Sequence, residues 1–254
     1  MVSFLEAIIL GIIQGITEWF PISSSGHLVL AQKLLGLEVP VSFDVALHIG
    51  SLGALIILFW KDILKLIKGF VKREKEEVKF VWFLILGTIP AAVIGLIFKD
   101  FLESTFTNVL ILAIGFLGTA LILFLSKFHN GSKELSWRSV IVVGFAQALS
   151  ILSSFSRSGL TVSSGLIMGV RRETIARFAF LLAIPALLGA AILEFPAITN
   201  IENIPVVLVG VLVSFVVGYV SLKWLVKMIE HGKFHLFAWY NLVLGLLVLA
   251  FLLI

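Results

Sequence analysis

The stretch QGITEWFPISSSGH, from Gln14 to His27, sets Glu18, three consecutive serines (Ser23, Ser24, Ser25), Gly26 and His27 inside a chain that otherwise reads as membrane. Ionisable groups at membrane depth are costly and mark a functional site. A partner stretch follows 133 residues later. Gly11-Ile-Ile-Gln14 answers to Gly144-Phe-Ala-Gln147, and Ser23-Ser24-Ser25-Gly26 answers to Ser156-Arg157-Ser158-Gly159. Two polar, glycine-bearing breaks in matching places, one acidic and one basic, point to a single site built from two halves.

Composition sets the class around these breaks. The chain is 60% hydrophobic and 13% charged, with a mean hydropathy of +1.14. Repeated apolar runs of about 20 residues are transmembrane helices, and a soluble domain is excluded. All 254 residues read as one integral-membrane domain, multi-pass, in the plasma membrane. Cysteine is absent, so disulfide and thiol chemistry are excluded. The N-terminus carries neither a basic n-region nor a small-residue cleavage site, and reads as structure rather than a removable signal.

Spans are expected at 43–60, 80–98, 108–125, 174–193, 204–223 and 236–254. The segments 2–36 and 139–169 each hold two short apolar stretches around a polar break, too short to cross twice. Both are read as re-entrant hairpins. Charge then sets direction. The loop from Lys61 to Lys79 carries seven Lys or Arg, and the loops 127–138, 171–172 and 223–235 bring the total to 15 of the 19 basic residues. The opposite side holds Glu38, Asp100, Glu103, Glu194 and Glu202, with Lys99 and, against the trend, Lys33. The positive-inside rule places the basic loops in the cytoplasm. A high isoelectric point therefore reports helix ends, not nucleic-acid binding. The first hairpin then enters from outside and the second from the cytoplasm. Repeats at approximately 1–125 and 139–254 have inverted topology, a design whose sites lie where broken helices meet near the midplane. The fold class is all-α: six transmembrane helices plus two re-entrant helical hairpins.

The tips carry the chemistry. Arg157 offers a planar, permanently charged fork suited to phosphate oxygens. Ser156, Ser158 and Thr161 add hydroxyls, and a half-helix starting near Ser158 aims amides at an anion. Gly26 and Gly159 allow tight turns, and the serines can satisfy freed backbone groups, which is the plainer reading of Ser23 and Ser25. Glu18 can hold a metal ion or act as a base, His27 can transfer a proton near neutral pH, and Ser24 can be a nucleophile if His27 or Glu18 activates it. Arg157 has a plainer reading too, as a counter-ion for Glu18 or Asp44. His48 reads as a packed membrane histidine. The tryptophans at 60, 82, 137, 224 and 239 read as interfacial anchors, with Trp19 the exception beside the site. Arg, Ser, His and Glu converging in a membrane pocket read best as cleavage of a phosphate ester on a lipid. A transporter or flippase for an anionic lipid or small phosphate is the second reading, since inverted repeats with midplane charges are common in carriers.

On these residues the chain resembles the undecaprenyl-diphosphate phosphatase family, also called bacitracin-resistance proteins. Gln14 and Glu18, followed by Pro21-Ile22-Ser23-Ser24-Ser25-Gly26-His27, resemble the family's acidic motif. SSFSRSGLT, from Ser153 to Thr161, resembles its Pro-Gly-x-Ser-Arg-Ser-Gly-x-Thr motif, and FDVALHIGS from Phe43 to Ser51 is family-like. The resemblance covers essentially the whole length. It implies removal of the terminal phosphate of a polyprenyl diphosphate, leaving the monophosphate that carries envelope glycans. It also implies an active site open to the outer face, a divalent cation (Mg²⁺ or Ca²⁺) near Glu18 and Gln14, and catalytic roles for Glu18, Ser24, His27 and Arg157. Gln14, Ser23, Ser25, Gly26, Ser156, Ser158, Gly159 and Thr161 are then the substrate-binding set, and a homodimer is left open. Ser24 with His27 as its base is favoured over direct attack by His27. Two departures stand out. Gln14 replaces a Glu and removes a negative charge, and Ser153-Ser154 replaces Pro-Gly, taking both the rigid and the permissive residue from the turn.

Overall fold

The computed structural model describes residues 2–98, 101–102, 105, 108–129, 131–152, 154–193 and 203–252. The charges at Lys99, Asp100, Glu103, Glu194 and Glu202, and Ser153, lie outside the described residues. Apolar runs with little side-chain polarity leave the backbone one way to satisfy itself in lipid, the helix. Eleven α-helices make up the described residues, with one 3-10 turn: α1 (Phe4–Thr17), α2 (Ser24–Leu35), α3 (Val41–Leu58), α4 (Trp60–Val71), α5 (Lys75–Ile97), α6 (Val109–Ser126), α7 (Trp137–Leu149), α8 (Arg157–Ile167), α9 (Arg172–Leu193), α10 (Ile204–Glu230) and α11 (Phe237–Phe251). Among the described residues six stretches are long and apolar enough to cross a membrane: α3, α5, α6, α9, α10 and the run Phe234–Phe251.

These match the six expected spans with two shifts. α5 begins at Lys75 and α10 continues to Glu230, so each carries its charged residues on a helical extension rather than in a loop. The segment 61–79, read as a loop, is largely helical. In α4 the apolar residues Ile63, Leu66, Ile67 and Phe70 recur at helical spacing while Lys61, Lys65, Lys68 and Lys72 take the other face. Arg177 Nε on α9 reaches Asp62 Oδ1 at 2.7 Å, and Lys65 Nζ reaches Glu77 Oε1 at 3.3 Å, tying this helix to its neighbours.

The two short-helix pairs are helical hairpins. α1, α2, α7 and α8 have 14, 12, 13 and 11 residues. At 1.5 Å per residue none exceeds about 21 Å, well short of a hydrocarbon core about 30 Å thick. Each hairpin packs against the long helices of the opposite half. α1 lies along α10, and α7 lies along α5. Small residues set these approaches: a Cβ on Gly11 would stand 2.7 Å from Gly210 O, and one on Gly144 would stand 2.9 Å from Gly87 O. Backbones in such contact exclude any side chain larger than hydrogen. α3 likewise packs on α10 as α9 packs on α5, while α3–α9 and α6–α11 pair across the middle. Trp60, Trp82, Trp137, Trp224 and Trp239 are all more than half exposed, as anchors require, and Trp19 is 1% exposed, edge-on to Phe180 in the core.

Candidate active site

Each hairpin turns through the same capping device. Ser23 is the N-cap of α2 and its hydroxyl accepts from Gly26 N at 3.3 Å. Ser156 is the N-cap of α8 and its hydroxyl accepts from Gly159 N at 3.1 Å. A serine N-cap satisfies an amide that the helix itself leaves open. Both caps are 2% exposed, so these two hydroxyls serve the backbone. Ser25 Oγ lies 3.4 Å from Ser23 Oγ, and Ser158 Oγ lies 3.2 Å from Ser156 Oγ. Gly26 and Gly159 are tightly enclosed; a Cβ at Gly26 would meet the Phe116 ring at 2.7 Å and one at Gly159 would meet Thr119 at 3.0 Å. Ser23 (φ 66°) and Ser154 (φ 74°) sit in the left-handed region that favours glycine. The glycine lost from the second motif is thus missing at a position whose backbone still takes the glycine conformation.

The caps leave the first helical residue of each tip free, and both of these residues reach one carboxylate. Glu18, the C-cap of α1 and 6% exposed, is the hub. Arg157 Nη2, the first residue of α8, pairs with Glu18 Oε1. Ser24 Oγ, the first residue of α2, donates to Glu18 Oε2 at 2.6 Å. Gln14 Nε2 donates to the same oxygen at 3.0 Å, and His48 Nε2 stands 3.3 Å from it. The ion pair spans 139 residues of sequence, so the site is one object made from both hairpins. The first residues of two helices thus meet at this carboxylate through their side chains. Ser158 and Thr161 join Glu18, Trp19 and Arg157 in lining the adjoining cleft, whose far wall is Ala179, Phe180 and Ala183 of α9. Thr161 Oγ1 donates to Arg157 O at 2.7 Å and braces the turn that holds the arginine. Arg157 Nη1 also reaches Ala183 O at 3.4 Å.

His27 lies three residues beyond Ser24 on α2, on the same face. Ser24 and His27 are not hydrogen-bonded to each other as the sequence suggests. His27 Nδ1 donates to Ser23 O at 2.7 Å, and its Nε2 faces Tyr240 Oη at 2.6 Å. The carbonyl one turn back captures the ring before the serine can. Ser24 is left to Glu18.

Three residues that sequence reasoning passed over complete the site. His48 bonds Asp44 O at 2.7 Å through Nδ1 and faces Glu18 through Nε2, so both its nitrogens point at acceptors. Ser51 Oγ accepts from Gln14 Nε2 at 3.3 Å and meets Ser214 Oγ at 2.9 Å. Asp44, His48 and Ser51 fall at helical spacing inside an apolar run, and that polar stripe was the available signal. Tyr240 had no local signal, since its partner is 213 residues away.

The donor set bears on a divalent cation. Among the described residues no group of three or more His, Cys, Asp or Glu side chains converges as a ready metal cage. Gln14 Oε1, however, is a buried oxygen without a hydrogen-bond partner, and it stands on the side chain that touches Glu18. One carboxylate and one amide oxygen suit a hard cation that completes its shell with water and phosphate oxygens, as Mg²⁺ commonly does.

Comparison with known proteins shows the family. The family described as "Bacitracin resistance protein BacA" matches residues 7–247. The undecaprenyl-diphosphatase of Methanosphaera stadtmanae is 41% identical, covering 98% of this chain and 98% of its own. That of Korarchaeum cryptofilum is 40% identical over 97% and 98%, and that of Carboxydothermus hydrogenoformans 42% identical over 96% and 95%. The names of these relatives describe hydrolysis, and the transporter reading draws no support from them.

Proposed function

The chain belongs to the bacitracin resistance protein BacA family, and on that premise we propose how its two hairpin tips perform the reaction. The activity is that of an undecaprenyl-diphosphatase: a polyprenyl diphosphate loses its terminal phosphate, giving the monophosphate and inorganic phosphate. The observation that carries the reading of the site is the Glu18 carboxylate held at once by Ser24 of one hairpin and Arg157 of the other.

Arg157, with Ser158 and Thr161 beside it in the cleft, holds the terminal phosphoryl group through charge-assisted bonds. Ser24 Oγ attacks the terminal phosphorus and passes its proton to Glu18, the group that already accepts its hydrogen bond. The bridging P–O bond breaks and polyprenyl monophosphate leaves. Water then attacks the phosphoserine, His27 takes the water's proton, and Glu18 returns its proton to the Ser24 oxygen. This revises the expected scheme, in which His27 activates Ser24, because Glu18 is the base in contact. Glu18 and Gln14 Oε1 would hold Mg²⁺ or Ca²⁺, whose charge offsets the repulsion between the carboxylate and the diphosphate.

The basic loops, read by the positive-inside rule, support a site open to the outer face of the plasma membrane. The exchange of packing partners between the halves, α1 on α10 and α7 on α5, supports two inverted repeats.

The test is phosphate release from a long-chain polyprenyl diphosphate by the purified protein in detergent, with and without Mg²⁺ or Ca²⁺. Cation-dependent turnover, abolished in folded Ser24→Ala, is expected. Folded but inactive wild-type protein on several chain lengths would refute the reading.

A further inference from the structure

Neutral histidine has one protonated nitrogen and one lone pair, and the neighbours decide which is which. At His27 the decision is made on Nδ1. That nitrogen faces a backbone carbonyl, Ser23 O, which can only accept, so Nδ1 carries the hydrogen. The lone pair of the neutral ring is therefore on Nε2, and Nε2 faces the Tyr240 hydroxyl at 2.6 Å. The contact is built, not incidental. The two rings stack at 5.7 Å with an 18° interplanar angle, and Phe116 stands edge-on to the other side of His27 at 5.6 Å. The next residue, Asn241, is fully buried and donates to Pro21 O at 2.7 Å and to Phe237 O at 2.8 Å. α11 thus grips the first hairpin tip through two adjacent side chains. Tyr240 itself is 46% exposed, so the pair lies at the surface of the helix bundle.

A base whose lone pair is covered by a hydroxyl takes a proton through that hydroxyl. We propose that Tyr240 is the second member of a His27–Tyr240 proton relay serving the water that hydrolyses the phosphoserine. As water attacks phosphorus, its O–H bond breaks and the proton moves to Tyr240 Oη. In the same step the Tyr240 O–H bond breaks and that proton moves to His27 Nε2. Tyr240 ends as it began, His27 is left as imidazolium, and the P–Oγ bond to Ser24 breaks. The imidazolium proton then leaves to solvent by the same path, which accounts for the proton that diphosphate hydrolysis releases. This rests on Ser24 as nucleophile and His27 as the base of the second step.

The test uses Tyr240→Phe, which keeps the stacked ring and removes only the hydroxyl. Loss of the relay is expected to lower kcat roughly 10- to 100-fold, less than the ~100- to 10,000-fold span of general base catalysis itself. The first step sets kcat/KM, so that ratio is expected to stay unchanged and KM to fall together with kcat. Because only the second step slows, a burst of polyprenyl monophosphate is expected ahead of inorganic phosphate. The contact is read separately. The chain has two tyrosines, so 3-fluorotyrosine labelling gives two ¹⁹F signals, and the one lost in Tyr240→Phe is expected to move in His27→Ala. Wild-type kcat in Tyr240→Phe, a change in KM alone, or a ¹⁹F signal indifferent to His27→Ala would overturn the relay. Full activity in His27→Ala would remove the second-step base, and the relay with it. An inactive wild type would instead strike the diphosphatase reading, while the ¹⁹F arm still reports whether the pair exists.

Discussion

The two hairpin tips share a backbone and divide the chemistry. In each, a serine N-cap accepts from the amide of a glycine three residues on, and a serine nearby takes positive φ. The chemistry differs at three matched positions. The first helical residue is Ser24 in one tip and Arg157 in the other; the fourth is His27 against Leu160; the residue after Gln14 by four is Glu18, while Ile151 holds that place after Gln147. On the proposed reading, the acidic tip keeps the groups that move protons and attack phosphorus, and the basic tip keeps the group that holds phosphate. Gln147, the counterpart of Gln14, is 1% exposed with neither of its side-chain polar atoms hydrogen-bonded, and Ile151 stands where the first tip has Glu18. Two tips with the same serine caps thus differ in the side chains at positions the caps leave free.

The comparison breaks most sharply at those first helical residues. Ser24→Ala and Arg157→Ala are each expected to lower phosphate release about 10³-fold or more, since one removes the nucleophile and the other the charge that stabilises the transferring phosphoryl group. Thermal stability in detergent identifies folded variants. A smaller effect is expected on the metal side. Gln14→Glu places a second carboxylate against Glu18, and a titration of activity with Mg²⁺ is expected to show half-maximal activation at roughly tenfold lower concentration, with lower stability when the cation is chelated. The smallest effect belongs to the basic tip's backbone. Ser154→Gly removes a side chain from positive φ and is expected to stabilise by up to ~1 kcal/mol, read as a rise in the unfolding midpoint.

The spans were legible because six apolar runs have no other use in so hydrophobic a chain, and the two polar breaks because charge in such a setting is conspicuous. Glu18, Ser24 and Arg157 meet as the matching motifs suggested. The choice between His27 and Glu18 as the partner of Ser24 was not legible: a His three residues on invites pairing, but the Ser23 carbonyl takes Nδ1 and Tyr240 takes Nε2. Helix α4 was hidden by its lysines, which read as loop until their spacing is set against Ile63, Leu66, Ile67 and Phe70. His48 was passed over because a lone membrane histidine is commonly a packing residue; only the fold brings it to Glu18.

The central claim is that both tips act on one phosphoryl group. It is tested most directly by comparing Ser24→Ala, Arg157→Ala and the double variant for phosphate release from polyprenyl diphosphate. Residues that work as a unit lose most of their effect in the first substitution. The account expects the double variant to be about as slow as the slower single one. Losses that multiply, or either single variant turning over at the wild-type rate, would contradict it.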